Sequence, residues 1–287
     1  MGLGLLGTEL GYSPRGQVRL YMSLTDIAAL DDTVRTFYDA NVSGKLEGFV
    51  EGNPRVERAW ETIDRWAPTN PARILEIGCG IGDISWRMAR KWTGSRVIGL
   101  DISPKSIEMA RKLFGSSRLS FVEGPLETET FTEKFDLIIL MDVYEHIAVV
   151  DRLGLHGVLK DLCNDQGRIV LSFPTPGHQA WLRQHHPDQI QPVDENISIE
   201  TIAALARDTN TEVLLYQEVN VWHEGDYAHA VLLGRRKWDA SAAHTPFIGM
   251  IGKMRQLLID RAEPLVPPRP RRLALVHQKL GRQCYPD

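Results

Sequence analysis

The sequence predicts an α/β fold: a mostly parallel sheet with helices on both faces. Two observations predict it. Between residues 71 and 236, short apolar runs alternate with helical stretches of about ten to fifteen residues, the pattern of successive βαβ units. A glycine-rich turn, Gly78-Cys79-Gly80-Ile81-Gly82, follows the first apolar run and opens a helix, the position at which open α/β sheets bind ligands.

The elements follow in order. Residues 1–24 are Gly-rich and weakly patterned, a loose arm. From Thr25 the pattern is helical: Ser23 and Asp26 have capping-box spacing, and Ile27, Leu30, Val34, Phe37 and Tyr38 recur at three and four. A second helix follows Pro54, with Val56, Ala59, Trp60 and Ile63 on one face. Residues 1–70 thus read as an arm and a helical lid. In the domain over 71–236 strands are expected at Arg73–Gly78, Arg96–Ile102, Leu119–Glu123, Phe135–Met141 and Arg168–Phe173. Helices are expected at Asp83–Trp92, Pro104–Phe114 and Val149–Leu162. Pro174–Asn196, rich in Pro, His and Gln, reads as a long loop. A helix over Ile199–Thr209 and strands over Val213–Val219 and His229–Gly234 complete the domain. The extension over 237–287 has helical periodicity at Ile248–Ile259, a Pro-rich break, and a basic amphipathic segment, Arg271–Leu280.

Composition narrows the classes of function. At 287 residues the chain has room for one sizeable core plus decoration. Thirty-three basic against thirty-seven acidic residues give a net charge of −4, too balanced for a surface that wraps nucleic acid throughout. The extension departs from that balance, with nine basic and four acidic residues, and leaves the rest of the chain at −9. The plain reading is a solvated, dimer-forming arm; the sharper one is attraction of an anionic acceptor or peripheral membrane contact. Cys79, Cys163 and Cys284 are odd in number and lack CxxC spacing, so no disulfide or zinc framework is expected and a reducing, cytoplasmic setting fits. The start lacks a basic n-region, Leu6 stands where N-myristoylation wants Ser or Thr, and no apolar run is long enough for a membrane span.

The glycine turn carries the most specific signal. Its glycines permit a tight turn and close approach of a ligand to the backbone. Asp101, twenty-one residues after Gly80 at the end of the second strand, is placed to accept hydrogen bonds from a ribose. The dinucleotide spacing GxGxxG is not met, because Asp83 occupies the last glycine's place. Glu76, at the loop's entrance, would repel a pyrophosphate and suits a cationic nucleoside. Binding of NAD, and with it oxidoreductase chemistry, is therefore disfavoured.

Leu75-Glu76-Ile77-Gly78-Cys79-Gly80-Ile81-Gly82 resembles motif I of the class I S-adenosylmethionine-dependent methyltransferases. Val97–Ser103 resembles motif II, and Phe135–Ile147 resembles motif IV of the small-molecule branch of that family. The resemblance covers roughly 72–236. It implies a Rossmann-like seven-stranded sheet whose last strand, His229–Gly234, runs antiparallel, and S-adenosylmethionine as cofactor. By position it implies that Glu76, Gly78, Cys79, Gly80 and Gly82 surround the methionine part, Asp101 the ribose and Ile102 the adenine face. Met141 and Asp142 would lie near the amino group and sulfonium. The family's Gly-Asp after the third strand is Gly124-Pro125 here, so the adenine contact there falls to the backbone near Leu126, or to Glu127. Tyr38 and Arg55, in the helical lid where relatives often place a Tyr or Arg on the methionine carboxylate, are candidate cofactor contacts, with a buried aromatic and a solvated Arg as the plain reading.

Motif IV also bears on the acceptor. Met141-Asp142-Val143-Tyr144 lacks the Asn/Asp-Pro-Pro-aromatic motif of enzymes resembling base or glutamine amine methyltransferases, and no Pro precedes a Cys as cytosine C5 chemistry needs. The acceptor expected is an oxygen of a small metabolite such as a saccharide or natural product. The alternatives are an amine metabolite, or a non-catalytic cofactor-binding partner protein. A hydroxyl acceptor needs a base, for which a His of suitable pKa contributes about 10²- to 10⁴-fold. His146, at the end of the fourth strand, is the first candidate, with packing or cofactor contact as its plain reading; His223, between the last two strands, is the second. His178, His185 and His186 read as acceptor contacts or solvated residues, and Trp181 as a stacking platform or a core aromatic. No metal is expected, the histidines having no ligand spacing.

Overall fold

Strand β1 (Arg73–Ile77) is apolar apart from Arg73 and Glu76, and its last four residues are buried on both sides, as in a parallel sheet covered on two faces. The computed structural model describes residue 33 and residues 35–127, 131–235 and 267–285. Around β1 lie β2 (Arg96–Asp101), β3 (Leu119–Glu123), β4 (Phe135–Met141), β5 (Cys163–Pro174), β6 (Thr211–Val219) and β7 (Tyr227–Gly234). They form one seven-stranded sheet in the order β3-β2-β1-β4-β5-β7-β6. β7 pairs antiparallel with β5 and with β6, and every other pairing is parallel. The seven strands and the reversed β7 agree with the sequence-based expectation.

Helices α1 (Val42–Glu51), α2 (Pro54–Trp66), α3 (Asp83–Lys91) and α4 (Pro104–Phe114) cover one face. Helices α5 (Arg152–Leu162) and α7 (Ile199–Asp208) cover the other. Local chemistry sets the starts. Pro54 follows the N-cap Asn53, whose side chain accepts from Arg55 N, and Pro104 follows Ser103, whose hydroxyl accepts from Ser106 N. Ser198 and Thr201 cap α7 reciprocally. Arg87, 1 % exposed, pairs at 2.8 Å with Asp83 in its own helix and with Glu57 of α2, tying α2 to α3.

Three expectations are corrected. The stretch 174–196 is not one loop: Thr175 accepts from His178 N and starts α6 (Pro176–His185). The N-terminal layer contains α1, which the sequence reading passed over; its apolar Leu46, Phe49 and Val50 fall on one buried face. The described part of the extension is not a solvated arm. It forms α8 (Arg269–Leu280), which buries Arg272 and Val276 and packs on α1 and α4. Arg269 pairs with Glu51 at 2.7 Å, and Tyr285 Oη donates to the same carboxylate. The apolar face of the basic segment is therefore covered by its own chain. The expected helical start at Thr25, with Ile27, Leu30 and Val34, and the periodicity at 248–259 lie outside the described residues; helical backbone is seen over 35–40.

Candidate active site

β1 leaves the sheet through three glycines with positive φ: Gly78 at 71°, Gly80 at 54° and Gly82 at 89°. The turn they make is tight, with the Gly78 and Cys79 amides both donating to Leu100 O at 2.7 and 2.9 Å. A Cβ at Gly78 would run into the Val143 side chain, and one at Gly82 would lie 2.6 Å from Phe121 Cζ. The loop is a cradle that only glycine backbone can line.

Asp101 ends β2 beside it. Its Oδ2 accepts from Gly80 N at 2.7 Å and its Oδ1 from Ser103 N at 2.9 Å, leaving each oxygen one further lone-pair direction for a ligand hydroxyl. Gly124 N donates to Asp101 O at 3.0 Å, which brings exposed Pro125 and half-buried Leu126 to the same end of the sheet as half-buried Ile102. Asp39 closes this corner from the N-terminal layer, accepting from Ser103 Oγ and Lys105 N at the start of α4.

Two loop side chains turn away from the open side. Glu76 is 3 % exposed and accepts from Ser85 Oγ of α3; burial pushes its carboxyl up to about 8. Cys79 is buried so closely against Gly99 that a Cβ there would lie 2.8 Å from its Sγ, so only its backbone is left to face a ligand.

Lys45 of α1 was missed by sequence reasoning. Its Nζ lies 3.3 Å from where a Gly80 Cβ would be, 3.4 Å from Ser106 Oγ and 5.3 Å from the Tyr38 ring centre. Its ammonium thus lies beside the cradle, within reach of a ligand bound against Gly80.

At the end of β4, Asp142 holds φ of 55°. Its amide donates to Ser172 O and its Oδ1 accepts from Ser172 Oγ at 2.9 Å. Its Oδ2 lies 2.7 Å from Arg55 Nε, and Arg55 Nη1 is 3.4 Å from Tyr227 Oη. Arg55, expected on the cofactor's carboxylate, is thus held by Asp142 and borders the adjoining cavity. Tyr38 donates to Gln191 Oε1 at 2.9 Å and stands edge-on to His146, 6.4 Å between ring centres, between cradle and cavity.

That cavity, about 350 Å³, opens between the β5–α6 segment, the β6–β7 turn and the end of β4. It brings together both proposed bases, His146 and His223, which lie seventy-seven positions apart in sequence. His146 Nδ1 lies 2.8 Å from Val193 O, an acceptor only, so Nδ1 carries the hydrogen and Nε2 keeps its lone pair. Asp194 Oδ1 is 3.5 Å from Nδ1, and Glu145 Oε1 is 3.7 Å from Nε2. Burial holds the His146 pKa below the ordinary imidazole value, keeping the ring neutral at neutral pH. Burial pushes the Glu145 carboxyl well above the usual range.

His223 sits at the mouth. The Val221, Trp222 and His223 amides all donate to Asp226, which shapes that turn. Its ring is 5.6 Å from Trp181 and 6.2 Å from His178, and Trp181, 40 % exposed, lies against His186 as well. His185 bonds Trp181 O and stays outside the lining. Asp194 and Tyr227, which line the cavity, and Val193, whose carbonyl accepts from His146 Nδ1, carried no signal in sequence because only the fold brings them to this site. Among the described residues, no three His, Cys, Asp or Glu side chains converge as metal ligands, and no helix is long and apolar enough to cross a membrane.

A family profile described as a methyltransferase domain matches residues 74–167, from β1 into β5. The chain is similar to a malonyl-[acyl-carrier protein] O-methyltransferase of Acetivibrio thermocellus, 30 % identical over 39 % of this chain and 38 % of that protein. It is similar to a mitochondrial ubiquinone biosynthesis O-methyltransferase of Schizosaccharomyces pombe, 28 % identical over 53 % of this chain and 55 % of that protein. The matches thus span between 38 % and 55 % of these relatives' lengths. Among solved structures, the N-methyltransferase NodS of Bradyrhizobium japonicum with S-adenosyl-L-homocysteine aligns with a TM-score of 0.56 at 15 % identity, over 71 % of this chain and all of that one. At that identity the likeness shows the fold. Residues 74–167 thus match a methyltransferase domain, and the family match, these relatives and the fold together indicate a class I S-adenosylmethionine-dependent methyltransferase.

Proposed function

We propose that the chain methylates an oxygen of a small metabolite, with His146 as the base. The observation that carries this reading is the His146 tautomer: Nδ1–H engaged by Val193 O at 2.8 Å leaves Nε2 free to take a proton at the cavity floor. The cradle fits the cofactor, its glycines leaving room at the backbone and Asp101 offering ribose acceptors. When bound, S-adenosylmethionine supplies an electrophilic methyl on a sulfonium.

The chain's own residues do the rest. The glycine cradle, Asp101 and Lys45 hold and orient the cofactor. Trp181, Trp222 and Tyr227 wall the acceptor and displace water, and alignment of this kind contributes up to roughly 7–11 kcal/mol in the best cases. His146 Nε2 accepts the hydroxyl proton as the new bond forms, and Asp194 at 3.5 Å from Nδ1 favours the resulting imidazolium. His223 at the mouth contacts the distal part of the acceptor.

The test is a screen of hydroxylated and amine metabolites for S-adenosylhomocysteine release, run with the wild type and His146→Gln. A hydroxyl acceptor whose turnover falls about 10²-fold or more in the variant supports the reading. Turnover confined to amines, or unchanged in His146→Gln, defeats it.

A further inference from the structure

His146 lies on a single 3₁₀ turn, Tyr144–His146, which begins just after Asp142 with its φ of 55°. Its own backbone bonds are few: His146 N to Val143 O at 2.9 Å and Ile147 N to Tyr144 O at 3.3 Å. A turn so short does not fix its own orientation. Side chains from other elements must hold it.

In front, Val193 O takes His146 Nδ1–H, and Glu195 N donates to Glu145 O at 2.8 Å. Behind, Tyr144 is completely buried among the helices of the opposite layer. Its hydroxyl is 2.7 Å from His156 Nε2 on α5, and His156 Nδ1 is 2.8 Å from Asp208 Oδ2 at the end of α7. Asp208 accepts, so His156 Nδ1 bears the hydrogen and Nε2 accepts from Tyr144. The bond with His156 holds the Asp208 carboxyl below its usual range, and burial pushes the Tyr144 phenol up to about 12, so the chain of donors keeps one direction. Arg152 lies over the Tyr144 ring, 5.2 Å from its centre, and donates to Ile147 O at 3.3 Å, gripping the far end of the turn.

Packing alone asks for none of this. A phenylalanine would fill the space that the Tyr144 ring occupies in an apolar cluster, and a leucine would serve for His156. Buried polar groups placed in such a cluster are costly unless they are paired, and the Tyr144 hydroxyl, both His156 ring nitrogens and Asp208 Oδ2 all are.

We propose that Tyr144, His156 and Asp208 form a positioning relay that sets where His146 stands in the cavity. The three residues join the 3₁₀ turn, α5 and α7 through a fixed line of hydrogen bonds. None of them lines the cavity, so they act through the turn. The proposal rests on the reading of His146 as the base.

The experiment follows the His146 imidazole by NMR titration in the full chain, its signals assigned by their loss in His146→Gln. The charges that face this ring are Asp194, Glu145, Asp142 and Arg55, with Tyr38 edge-on, and the variants leave all of them in place. Burial is what depresses the His146 midpoint, so a loosened turn admits water and raises it. Tyr144→Phe and His156→Leu are expected to raise the midpoint by about half a pH unit or more. They are also expected to cut turnover about tenfold or more. His156→Gln, which can accept from Tyr144 and donate to Asp208, should restore both. Leu159→Ala, in the same core, is the control for general destabilisation and should leave the midpoint unchanged. An unmoved midpoint in Tyr144→Phe, or an equal shift in Leu159→Ala, overturns the relay. Full turnover in His146→Gln would instead overturn the base, leaving the titration result to stand by itself.

Discussion

Arg55 Nε and Asp142 Oδ2 lie 2.7 Å apart, and this ion pair joins the N-terminal helical layer to the end of β4. Asp142 spends its other oxygen on Ser172, so removal of the guanidinium leaves a mostly buried carboxylate short of a partner. Arg55→Met is expected to cost about 1–3 kcal/mol of stability. Asp142→Ala adds the strain of a positive φ to the loss of the pair, about 1–2 kcal/mol more. Urea unfolding of both variants and the double variant checks this. Additive losses would show that the two residues do not act as a pair.

How much of this was legible beforehand follows from which residues report locally. The strand–helix alternation, the glycine turn and Asp101 could be read because periodicity and spacing are properties of neighbouring residues. The capped starts of α2 and α4 could be read because Asn53-Pro54 and Ser103-Pro104 act within one turn. Helix α1 could not: Gly44 and Gly48 dilute it, and Asn41 makes no side-chain cap. Helix α6 was hidden by Pro176-Gly177, which reads as a turn and here opens a helix after Thr175. Lys45 over Gly80, and Val193 and Asp194 beside His146, are pairings across the fold that no local pattern encodes. Tyr38, Arg55, His146 and His223 were named as single residues, while their joint arrangement came from β-sheet order and the β6–β7 turn.

Lys45 carries a prediction of its own. If its ammonium meets the cofactor's carboxylate, Lys45→Met should weaken S-adenosylhomocysteine binding about tenfold, equivalent to about 1.4 kcal/mol. Binding of methylthioadenosine, which lacks the amino-acid part, should stay the same. Calorimetry with both ligands separates the outcomes, and equal losses for the two would place Lys45 in loop structure instead.

Glu76 gives a pH signature. Its carboxyl is pushed up to about 8 by burial, from 4.5 in the unfolded chain. Across that window the native state holds a proton that the unfolded state has released, so stability falls as pH rises from about 4.5 to 8, by about 1.4 kcal/mol per unit at most. Glu76→Gln should remove this slope, being nearly neutral at pH 4.5 and stabilising at pH 8. Melting temperatures of both proteins across the range test it; parallel curves would mean that Glu76 does not titrate there.

The cradle makes a steric prediction. A methyl at Gly82 would meet Phe121 at 2.6 Å with φ at 89°. Gly82→Ala is therefore expected to cost at least about 1–2 kcal/mol and to weaken cofactor binding. Thermal melts with and without S-adenosylhomocysteine report both effects. A variant stabilised by the ligand as strongly as the wild type would show that the loop tolerates a side chain.

The cradle and Asp101 together are expected to form the S-adenosylmethionine site. The most direct test is calorimetric titration of S-adenosylhomocysteine into the wild type and into Asp101→Ala, with NAD as the comparison ligand. One-to-one binding to the wild type, an affinity at least about tenfold weaker in Asp101→Ala, and no heat from NAD are expected. Binding of NAD without binding of S-adenosylhomocysteine, or an affinity that Asp101→Ala leaves untouched, would contradict it.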